Sequence, residues 1–547
     1  MDYPYLDTII YDNFHEMLKG RFETSALKTA IRYREKEEIV DISYGEMVWR
    51  IALIDSFFRE NTLKNKHIGI VSENRYEYIT IYLATVMDNV IVPLDKELSS
   101  EILLKCTDKF DLDILFVTDE TVSKFKDENG KFLTQESLKI INIDDRTQAP
   151  FLHFDGNVNY GGDDAVTDDK NKLIKKFLDS VKHTDKDRFA VLASTSGTDG
   201  EMKGVMLSQY NVITNIRGTL ENNVLEDPTL AFLPMNHTYG FNPCILATLY
   251  NGTTLCLNLK TKYLLKDIKT FNPFFFGAVP MVIEGMYDNI IREVKKQNKE
   301  KTFYRTIKIC SFFRKFGIDL RHVFFGKIIC ERLRLVVNGG ALLNAEYVRK
   351  FDEIGITILN GYGLTECSPT IAVSRTKNNV PGSAGTIMKH IDVKIAEDGE
   401  ILVKGPCVML GYYKNEEATK ACMRDGYFAT GDIGYTDGKV IFVTGRKKNL
   451  IILENGKNVA PEYLESRINT IPYVKESLVV PKKSGGRSNI IHAIIVLSEE
   501  QSESHLKEDI GKINDTLPLY MRIDDWETRI EELKKNSSKK IIRNNYM

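Results

Sequence analysis

The sequence has no closely spaced pair of cysteines. Its eight cysteines stand singly along 547 residues, and none forms a Cys-x-x-Cys pair. This spacing argues against a cysteine-rich zinc site, a dithiol redox centre and a disulfide framework. We therefore expect reduced, mostly buried thiols, as in a cytosolic protein.

An excess of charge of either sign is also lacking. The 74 Lys and Arg residues nearly balance 76 Asp and Glu residues, which gives a formal charge of −2. This balance excludes a global attraction to nucleic acid or anionic lipid, so any preference for a partner must be local. The N-terminal segment MDYPYLDTIIYDNF lacks the basic start and the apolar run of a signal peptide.

One stretch, from Leu230 to Leu259, has no charged side chain and invites comparison with a membrane span. It contains Pro234, His237, Gly240 and several asparagines, which would leave polar groups unsatisfied in lipid. We interpret it as buried strand and helix around a pocket.

Short apolar runs alternate with amphipathic stretches through the first 440 residues, a pattern typical of α/β layers. After Gly385 the sequence becomes rich in β-branched residues and turns, which predicts a small barrel or meander. A boundary at 445–448 then precedes a mixed unit of about 100 residues. For this unit the sequence predicts helices at 461–469 and 503–516 and strands at 477–481 and 490–496.

The glycine-rich segment STSGTDGEMKG lies between the apolar runs FAVLA and VMLS. This order favours strand, loop, strand, in which freed backbone N–H groups, hydroxyls and Lys203 suit an anion. A solvated turn is the alternative. Gly204 and Val205 follow the lysine where a conventional phosphate loop carries Ser or Thr for Mg²⁺, so such an ATPase is disfavoured.

Further segments give the loop a context: NGG at 338–340, NGYGLTECSP at 360–369, TGDIGY at 430–435, GRKKNLI at 445–451 and NGKNVAPEYLE at 455–465. In this order the set resembles the adenylate-forming superfamily, and most of all the long-chain fatty acid CoA ligases. The resemblance implies an α/β protein with an adenylation domain at 1–445, built from two α/β subdomains and a β-rich subdomain. A small mobile α+β domain would follow at 446–547.

The resemblance also implies roles at an ATP site. The loop from Thr195 to Lys203 would hold the β- and γ-phosphates. Tyr362 would stack on adenine, with Gly340 and Ala341 lining the base, and Thr365 would contact the α-phosphate. Glu366 would hold Mg²⁺, a hard cation that prefers carboxylate oxygen. Asp432 and Arg446 would bind the ribose, and for Asp432 a plain turn role is the alternative. The implied nucleotide-binding residues are Thr195, Ser196, Gly197, Thr198, Lys203, Gly340, Ala341, Tyr362, Thr365, Asp432 and Arg446.

The C-terminal segment ELKKNSSKKIIR is similar to the terminal signature of the family. Lys540 stands where a lysine reaches the substrate carboxylate and the α-phosphate, although Lys539 replaces the usual glycine. By the same resemblance Lys448 is the hinge of the second domain, and Gly456 shapes a tunnel for the thiol. A solvated lysine-rich tail is the alternative interpretation.

Asp199 and Met202 depart from the loop of the family, which usually has Thr and Pro there. A carboxylate near triphosphate is unfavourable unless it is neutralised. We expect Asp199 to point outward and to cap the loop through backbone N–H groups.

The acid is expected to be apolar. The resemblance implies that the counterpart of Leu230–Leu259 supplies an aspartate for the substrate ammonium in amino-acid-activating relatives. Because this stretch has no acidic side chain, amino acids are disfavoured. His237 resembles the histidine of the acyl pocket in the family, with a core histidine as the alternative, and Phe241, Phe276 and Val279 are candidate wall residues.

The segment 284–334 carries 13 Lys or Arg and 6 Asp or Glu, interleaved with aromatic residues. Such a segment suits a surface of anionic lipid or fatty acid, or else forms an ordinary solvated helix face.

Together these features predict a ligase that uses ATP, Mg²⁺ and CoA to convert a medium- or long-chain fatty acid to acyl-CoA. Thr365, Glu366, His237 and Lys540 are the expected catalytic residues. We expect a cytoplasmic protein that contacts membranes peripherally through 284–334 and does not bind nucleic acid. Two alternatives stay open: a fatty acyl-AMP ligase that loads an acyl carrier protein, and a weakly active relative that binds acyl groups or nucleotide.

Overall fold

The computed structural model describes residues 4–152, 165–180, 185, 187–196, 202–326, 328–341, 343–454, 456–484, 487–498, 503–535 and 541–546. The sequence-based expectations for Gly197, Thr198, Asp199, Lys539 and Lys540 lie outside these residues.

The elements follow one another in three stretches. To residue 208 they are α1 (Phe14–Ser25), β1 (Thr29–Glu35), β2 (Glu38–Ser43), α2 (Tyr44–Glu60), β3 (His67–Ile70), α3 (Tyr76–Asp88), β4 (Val90–Pro93), α4 (Ser100–Lys109), β5 (Ile114–Val117), β6 (Lys139–Asn142), α5 (Ala165–Ser180), β7 (Phe189–Ser196) and β8 (Met202–Ser208).

To residue 363 they are α6 (Gln209–Asn222), β9 (Thr229–Ala231), α7 (Thr238–Phe241), α8 (Ala247–Asn251), β10 (Leu255–Leu257), α9 (Leu264–Phe271), β11 (Phe275–Ala278), α10 (Pro280–Lys296), α11 (Glu300–Arg314), α12 (Arg321–Phe325), β12 (Leu335–Asn338), α13 (Ala345–Glu353) and β13 (Thr357–Gly363).

The remaining elements are β14 (Thr370–Val373), β15 (Gly385–Ile387), β16 (Asp392–Ile395), β17 (Glu400–Lys404), β18 (Gly411–Tyr412), α14 (Glu416–Ala421), β19 (Met423–Arg424), β20 (Tyr427–Thr436), β21 (Val440–Arg446), β22 (Ile451–Ile452), β23 (Asn458–Val459), α15 (Pro461–Ile468), β24 (Val474–Ser484), β25 (Arg487–Leu497), α16 (Glu503–Asp515) and β26 (Asp525–Arg529).

The smaller of the two large sheets has the order β18-β8-β7-β4-β3-β5-β6. Its strands β3 to β7 run parallel, whereas β8 is antiparallel to β7. Strands β4 and β5 are buried along their whole length, as expected for parallel strands covered by helices on both faces. The two strands predicted on either side of the glycine-rich loop are thereby confirmed, and residues 197–201 between them lie outside the described residues.

The larger sheet has the order β16-β17-β20-β21-β15-β14-β13-β12-β11-β9-β10-β1-β2. Its half from β1 and β10 through β13 is parallel, and from β14 onward the pairs are antiparallel. The expected β-rich region therefore exists, but it begins at Thr370 rather than at Gly385. It continues the parallel sheet through β13.

Most of the stretch from Leu230 to Leu259 is buried, as predicted, although Pro234 and Asn251 are exposed. It forms β9, α7, a π-helical turn at Asn242–Leu246, α8 and β10. Helix α8 ends at Gly252, whose φ of +73° is left-handed, and a Cβ there would overlap the guanidinium of Arg21. Among the described residues no helix is long and apolar enough to cross a membrane.

The C-terminal stretch has a hydrophobic core of its own, formed among others by Val459, Leu464, Val479, Ile495 and Leu506. Helices α15 and α16 and strands β24 and β25 match the elements predicted there, with β25 between β24 and the parallel β26. The division of the chain at 445–446 stays a prediction.

The cysteines behave as expected. All eight are free, and all except the half-buried Cys422 are buried.

A buried ion pair ties β1, next to the edge strand β2 of the larger sheet, to helix α9. Arg34 of β1 donates from Nε to Oδ1 of Asp267 in α9 at 2.9 Å, and Asn258 donates to the other carboxylate oxygen at 2.6 Å. The side chains of Arg34 and Asp267 are only 8% and 3% exposed.

We predict that Arg34→Met lowers the free energy of unfolding by about 3 to 5 kcal/mol, because it leaves a buried carboxylate without its cation. The matched control is Arg32→Met on the same strand, whose partner Asp41 is 43% exposed, and its loss should stay below about 1 kcal/mol. Thermal and denaturant unfolding measure both, and equal losses would contradict the interpretation.

Candidate active site

The site lies where the parallel pairing between strands β12 and β13 ends. Asn338 and Asn360 are paired in register, and the Asn338 amide donates to Oδ1 of Asn360 at 3.2 Å and to the carbonyl of Ala341 at 3.0 Å. Gly340 and Tyr362 each lie two residues beyond this pair. Gly340 takes a left-handed φ of +82°, with Val279 beside it. The predicted adenine residues therefore share one sheet edge.

Tyr362, Asp432 and Arg446 form a connected cluster. The hydroxyl of Tyr362 donates to Oδ2 of Asp432 at 2.8 Å, and Nε of Arg446 lies 2.7 Å from Oδ1. Burial, together with the charge of Asp432, raises the pKa of Tyr362 well above its usual range, so the phenol stays a donor. Asp432 is 6% exposed and Arg446 is 39% exposed, so the pair forms a charged floor that opens to solvent on the arginine side.

A second buried carboxylate, which the sequence did not indicate, holds the backbone of β20 just before Asp432. Glu400 accepts from the backbone N–H of Gly431 at 2.9 Å, and Lys447 and Arg424 approach its other oxygen at 2.8 and 3.0 Å. Gly431 has a left-handed φ of +71°. In sequence Glu400 follows Asp-Gly, where turn chemistry hides its role.

Thr365 and Glu366 lie on a short 3₁₀ turn, Thr365–Cys367, after β13. Oγ1 of Thr365 is 3.4 Å from Oγ1 of Thr238, the residue after His237. His237 is the N-cap of α7, and its carbonyl accepts from the N–H of Phe241 at 3.0 Å. The predicted acyl and α-phosphate residues are therefore neighbours.

The hairpin of β7 and β8, which is predicted to hold phosphates and is called the phosphate hairpin below, approaches the same turn. Thr195 of β7 is in register with Lys203 of β8, and Nζ of Lys203 lies 5.1 Å from the ring centroid of Tyr412. Tyr412 donates its hydroxyl to Oε1 of Glu366 at 2.9 Å. Ser196 also lies on β7, opposite Met202. Sequence reasoning missed Tyr412, which is remote in sequence from both residues that it contacts.

Glu366 suits a divalent cation that is also held by phosphate oxygens. Apart from the Tyr412 hydroxyl, its carboxylate makes no hydrogen bond or ion pair with the described residues. Within that part of the chain there is also no cluster of three or more His, Cys, Asp or Glu side chains that could hold a metal. A single carboxylate fits Mg²⁺, which is usually bound by one or two carboxylates, substrate phosphates and water.

The candidate acyl wall is tightly packed. Tyr239 lies on Gly339 and donates its hydroxyl to the carbonyl of Val337 at 2.7 Å. Phe276 packs against Phe232 within the core, and Phe241 packs against Tyr82.

The two residues that are predicted to act as the hinge and to shape the thiol tunnel lie on exposed turns. Lys448 is within the 3₁₀ turn Lys447–Asn449, and Gly456 is in the turn between β22 and β23 with a φ of +73°. Nothing described lies within 4 Å of a Cβ built at Gly456. A Cβ at Gly445, in contrast, would come 2.7 Å from Oε2 of Glu462 in α15. The end of β21 therefore packs closely on α15.

The chain belongs to the AMP-binding enzyme family, whose model matches residues 21–413. Its curated relatives include a long-chain-fatty-acid–CoA ligase, FadD15, of Mycobacterium bovis, 32% identical over 335 residues. That alignment covers 57% of this chain and 55% of the relative. A long-chain-fatty-acid–[acyl-carrier-protein] ligase, AEE15, of Arabidopsis thaliana is 26% identical, over 69% of this chain and 60% of the relative. The chain thus spans little more than half the length of the first of these relatives.

Solved structures show the same fold over the whole chain. The anthranilate CoA ligase AuaEII superposes with a TM-score of 0.76 at 17% identity, covering 100% of this chain and 97% of that one. A fatty acyl CoA synthetase of Mycobacterium tuberculosis gives 0.66 at 19% identity, covering 98% and 97%.

We predict that Asp432→Asn weakens AMP binding about 10- to 100-fold, because hydrogen bonds to a charged group contribute about 1.5 to 3 kcal/mol. Isothermal titration should show unchanged pyrophosphate binding, since that ligand has no ribose.

The matched control is Asp437→Asn in the β20–β21 turn, where the carboxylate accepts from the backbone N–H groups of Lys439 and Val440. It should leave AMP binding unchanged. An equal effect of the two substitutions, or equal losses of AMP and pyrophosphate binding, would refute a ribose-binding role.

Proposed function

We propose that the protein is an acid–thiol ligase that works in two steps. A carboxylate attacks the α-phosphate of ATP to give acyl-AMP and pyrophosphate, and CoA then displaces AMP to give acyl-CoA. The observation that carries this proposal is the convergence of Lys203, Thr365 and Glu366 with the Tyr362–Asp432–Arg446 cluster in a chain of the AMP-binding enzyme family.

The chemistry follows from the charges. A carboxylate is a weak electrophile until one oxygen becomes part of an AMP leaving group, so two anions must be held together while charge builds at phosphorus. Lys203 and Thr365 would supply a cation and a hydroxyl donor there, and Glu366 would hold Mg²⁺. When bound, Mg²⁺ offsets the negative charge of the phosphate oxygens.

The two half-reactions would use different faces of the second domain. Lys540 would act in adenylation, and rotation about Lys448 would then bring Gly456 to the thiol tunnel. The exposed turns at Lys448 and Gly456 are compatible with such a rotation.

The preferred acid is proposed to be a medium- or long-chain fatty acid. The support is the buried, acid-free stretch Leu230–Leu259 and the printed substrates of relatives such as FadD15. Transfer to a carrier protein is the alternative acceptor, because AEE15 is described as such a ligase. Aryl acids are a second possibility, since anthranilate CoA ligase shares the fold.

We predict ATP-dependent pyrophosphate release with fatty acids, at a rate above that with aryl or amino acids, and conversion to thioester when CoA is added. A coupled pyrophosphate assay across the three acid classes, with mass spectrometry of products, measures both. Acyl-AMP that turns over only with a carrier protein would reassign the acceptor. Binding of ATP and acid without pyrophosphate release would contradict the enzyme assignment.

We also propose that the protein is cytoplasmic and contacts a membrane peripherally through 284–334. Helix α11 has two apolar faces. Phe303, Ile307 and Cys310 are buried against the protein, whereas Ile309 and Phe312 are 40% and 57% exposed, and Phe316, just after the helix, is 69% exposed. Val323 and Phe324 extend this exposed surface.

The cations beside this surface are available to a partner. Arg305, Lys308 and Lys315 form no ion pair with the described residues, whereas Arg314 and Arg321 are held by Asp352. An anionic bilayer matches both the exposed aromatic rings and the cations. A second copy of the chain would place like charges together, which disfavours a dimer through this face.

We predict that the protein cosediments with vesicles containing phosphatidylglycerol and much less with pure phosphatidylcholine. Salt should weaken binding, because the Debye length falls from about 10 Å at 0.1 M to about 3 Å at 1 M. Changing Arg305, Lys308 and Lys315 together to Glu should lower binding at least tenfold, since each cation contributes about 1 kcal/mol near an anionic surface.

The matched control is Leu27→Ser with Ile39→Ser, two exposed apolar residues elsewhere, compared with Phe312→Ser plus Phe316→Ser. Only the latter pair should reduce binding. Vesicle binding that is absent or unchanged in all variants, or dimerisation lost with the Phe residues, would contradict the membrane proposal.

A further inference from the structure

Strand β18 is a short clip at the edge of the smaller sheet. Gly411 and Tyr412 pair antiparallel with Met206 and Val205 of β8, and the N–H of Tyr413 donates to the carbonyl of Gly204 at 2.8 Å. The chain reaches this edge from β17, a strand of the larger sheet. The segment that carries Tyr412 therefore joins the two sheets beside the phosphate hairpin.

The same segment holds Glu366 through both its backbone and its side chain. The N–H of Met409 donates to the carbonyl of Glu366 at 2.8 Å, and the Tyr412 hydroxyl donates to Oε1 at 2.9 Å. With Oε1 engaged, the carboxylate has a fixed orientation. Its second oxygen has no partner among the described residues.

Tyr412 also faces Lys203. The ammonium lies 5.1 Å from the ring centroid, within the range of a cation–π attraction. The ring is 9% exposed, and the backbone N–H of Tyr412 is anchored to Oγ1 of Thr419 at 2.9 Å. Burial and the charge of Glu366 raise the pKa of Tyr412, so its hydroxyl stays a donor.

We infer that Tyr412 is a positioning residue that sets the Glu366 carboxylate and the Lys203 ammonium at a fixed separation suited to one Mg·ATP. The inference rests on the proposed function, because it takes these two residues to be the metal and phosphate ligands. Tyr412 would act only through these two side chains. Its hydroxyl orients the carboxylate of Glu366, and its ring positions the ammonium of Lys203.

Tyr412→Phe keeps the ring and removes the hydroxyl. Its apparent affinity for Mg²⁺ in pyrophosphate release should fall about 10- to 100-fold, the usual effect of losing a partner that orients a metal ligand. Saturating Mg²⁺ should restore the rate. The Mg²⁺-dependent rise in melting temperature on ATP addition, measured without acid, should shrink at subsaturating Mg²⁺.

Tyr413→Phe is the matched control. Tyr413 is the next residue in the chain, and its hydroxyl also donates to a carboxylate, that of Asp111, at 2.5 Å. The variant should resemble wild type in both measurements. Tyr412→Leu, which also removes the ring from Lys203, should weaken ATP binding further than Tyr412→Phe does.

The outcomes separate the two proposals. A wild-type protein that gains stability from Mg·ATP but releases no pyrophosphate with any acid overturns the proposed function, and the melting data then decide the role of Tyr412. A Tyr412→Phe variant with the apparent Mg²⁺ affinity and the Mg²⁺-dependent stabilisation of wild type overturns only the inference about Tyr412. A rate loss that Mg²⁺ does not restore, with a lower melting temperature without ligand, shows a merely structural role and also overturns it. A wild type without Mg²⁺-dependent stabilisation by ATP overturns both.

Discussion

Strand β13 changes partners at a single peptide, and the site depends on that change. Through Asn360 it pairs in parallel with β12, and from Gly361 it pairs antiparallel with β14. A Cβ at Gly363 would overlap the carbonyl oxygen of Pro369, so the close return of the chain requires glycine. Tyr362, Thr365 and Glu366 are thereby set at the junction of the parallel and antiparallel halves.

The charges around this junction follow one pattern. The buried carboxylates of Asp432 and Glu400 each have a donor on both oxygens: a phenol hydroxyl and an arginine for Asp432, and a backbone N–H and two cations for Glu400, as the cost of desolvating an anion requires. Glu366 differs because only one of its oxygens is engaged by a described residue. Satisfied carboxylates keep the scaffold rigid, and the partly satisfied one is free to take a ligand.

Local patterns in the sequence predicted much of the fold. The glycine-rich hairpin, the helices of the C-terminal stretch and the burial of Leu230–Leu259 all follow from short-range hydrophobic patterns and turn residues. The family resemblance predicted that Tyr362, Asp432 and Arg446 share one site, because each lies within a recognisable segment of the family. The start of the β-rich region was predicted too late in the sequence. Its first strand, β14, is short and fully buried, so its composition resembles that of the parallel strands before it.

The missed residues depend on long-range pairing. Tyr412 meets Glu366 from 46 positions away and Glu400 meets Gly431 from 31 positions away, and neither pair has a periodicity that a sequence displays. Likewise, the basic and aromatic composition of 284–334 suggested a surface helix. Only the structure shows that α11 buries one apolar face and exposes another.

The clip at β18 bears on how the chain is made. Strand β8 ends at Ser208, but β18, which covers its edge, begins at Gly411. The ribosome therefore adds about 200 residues before that edge is covered. This takes roughly 10 to 40 s at rates of about 5 to 20 residues per second. During this interval the nascent chain presents an open strand edge, the feature most prone to pairing with another chain. Slow or stalled translation between these two points therefore lengthens the time for which the edge of β8 is exposed to aggregation.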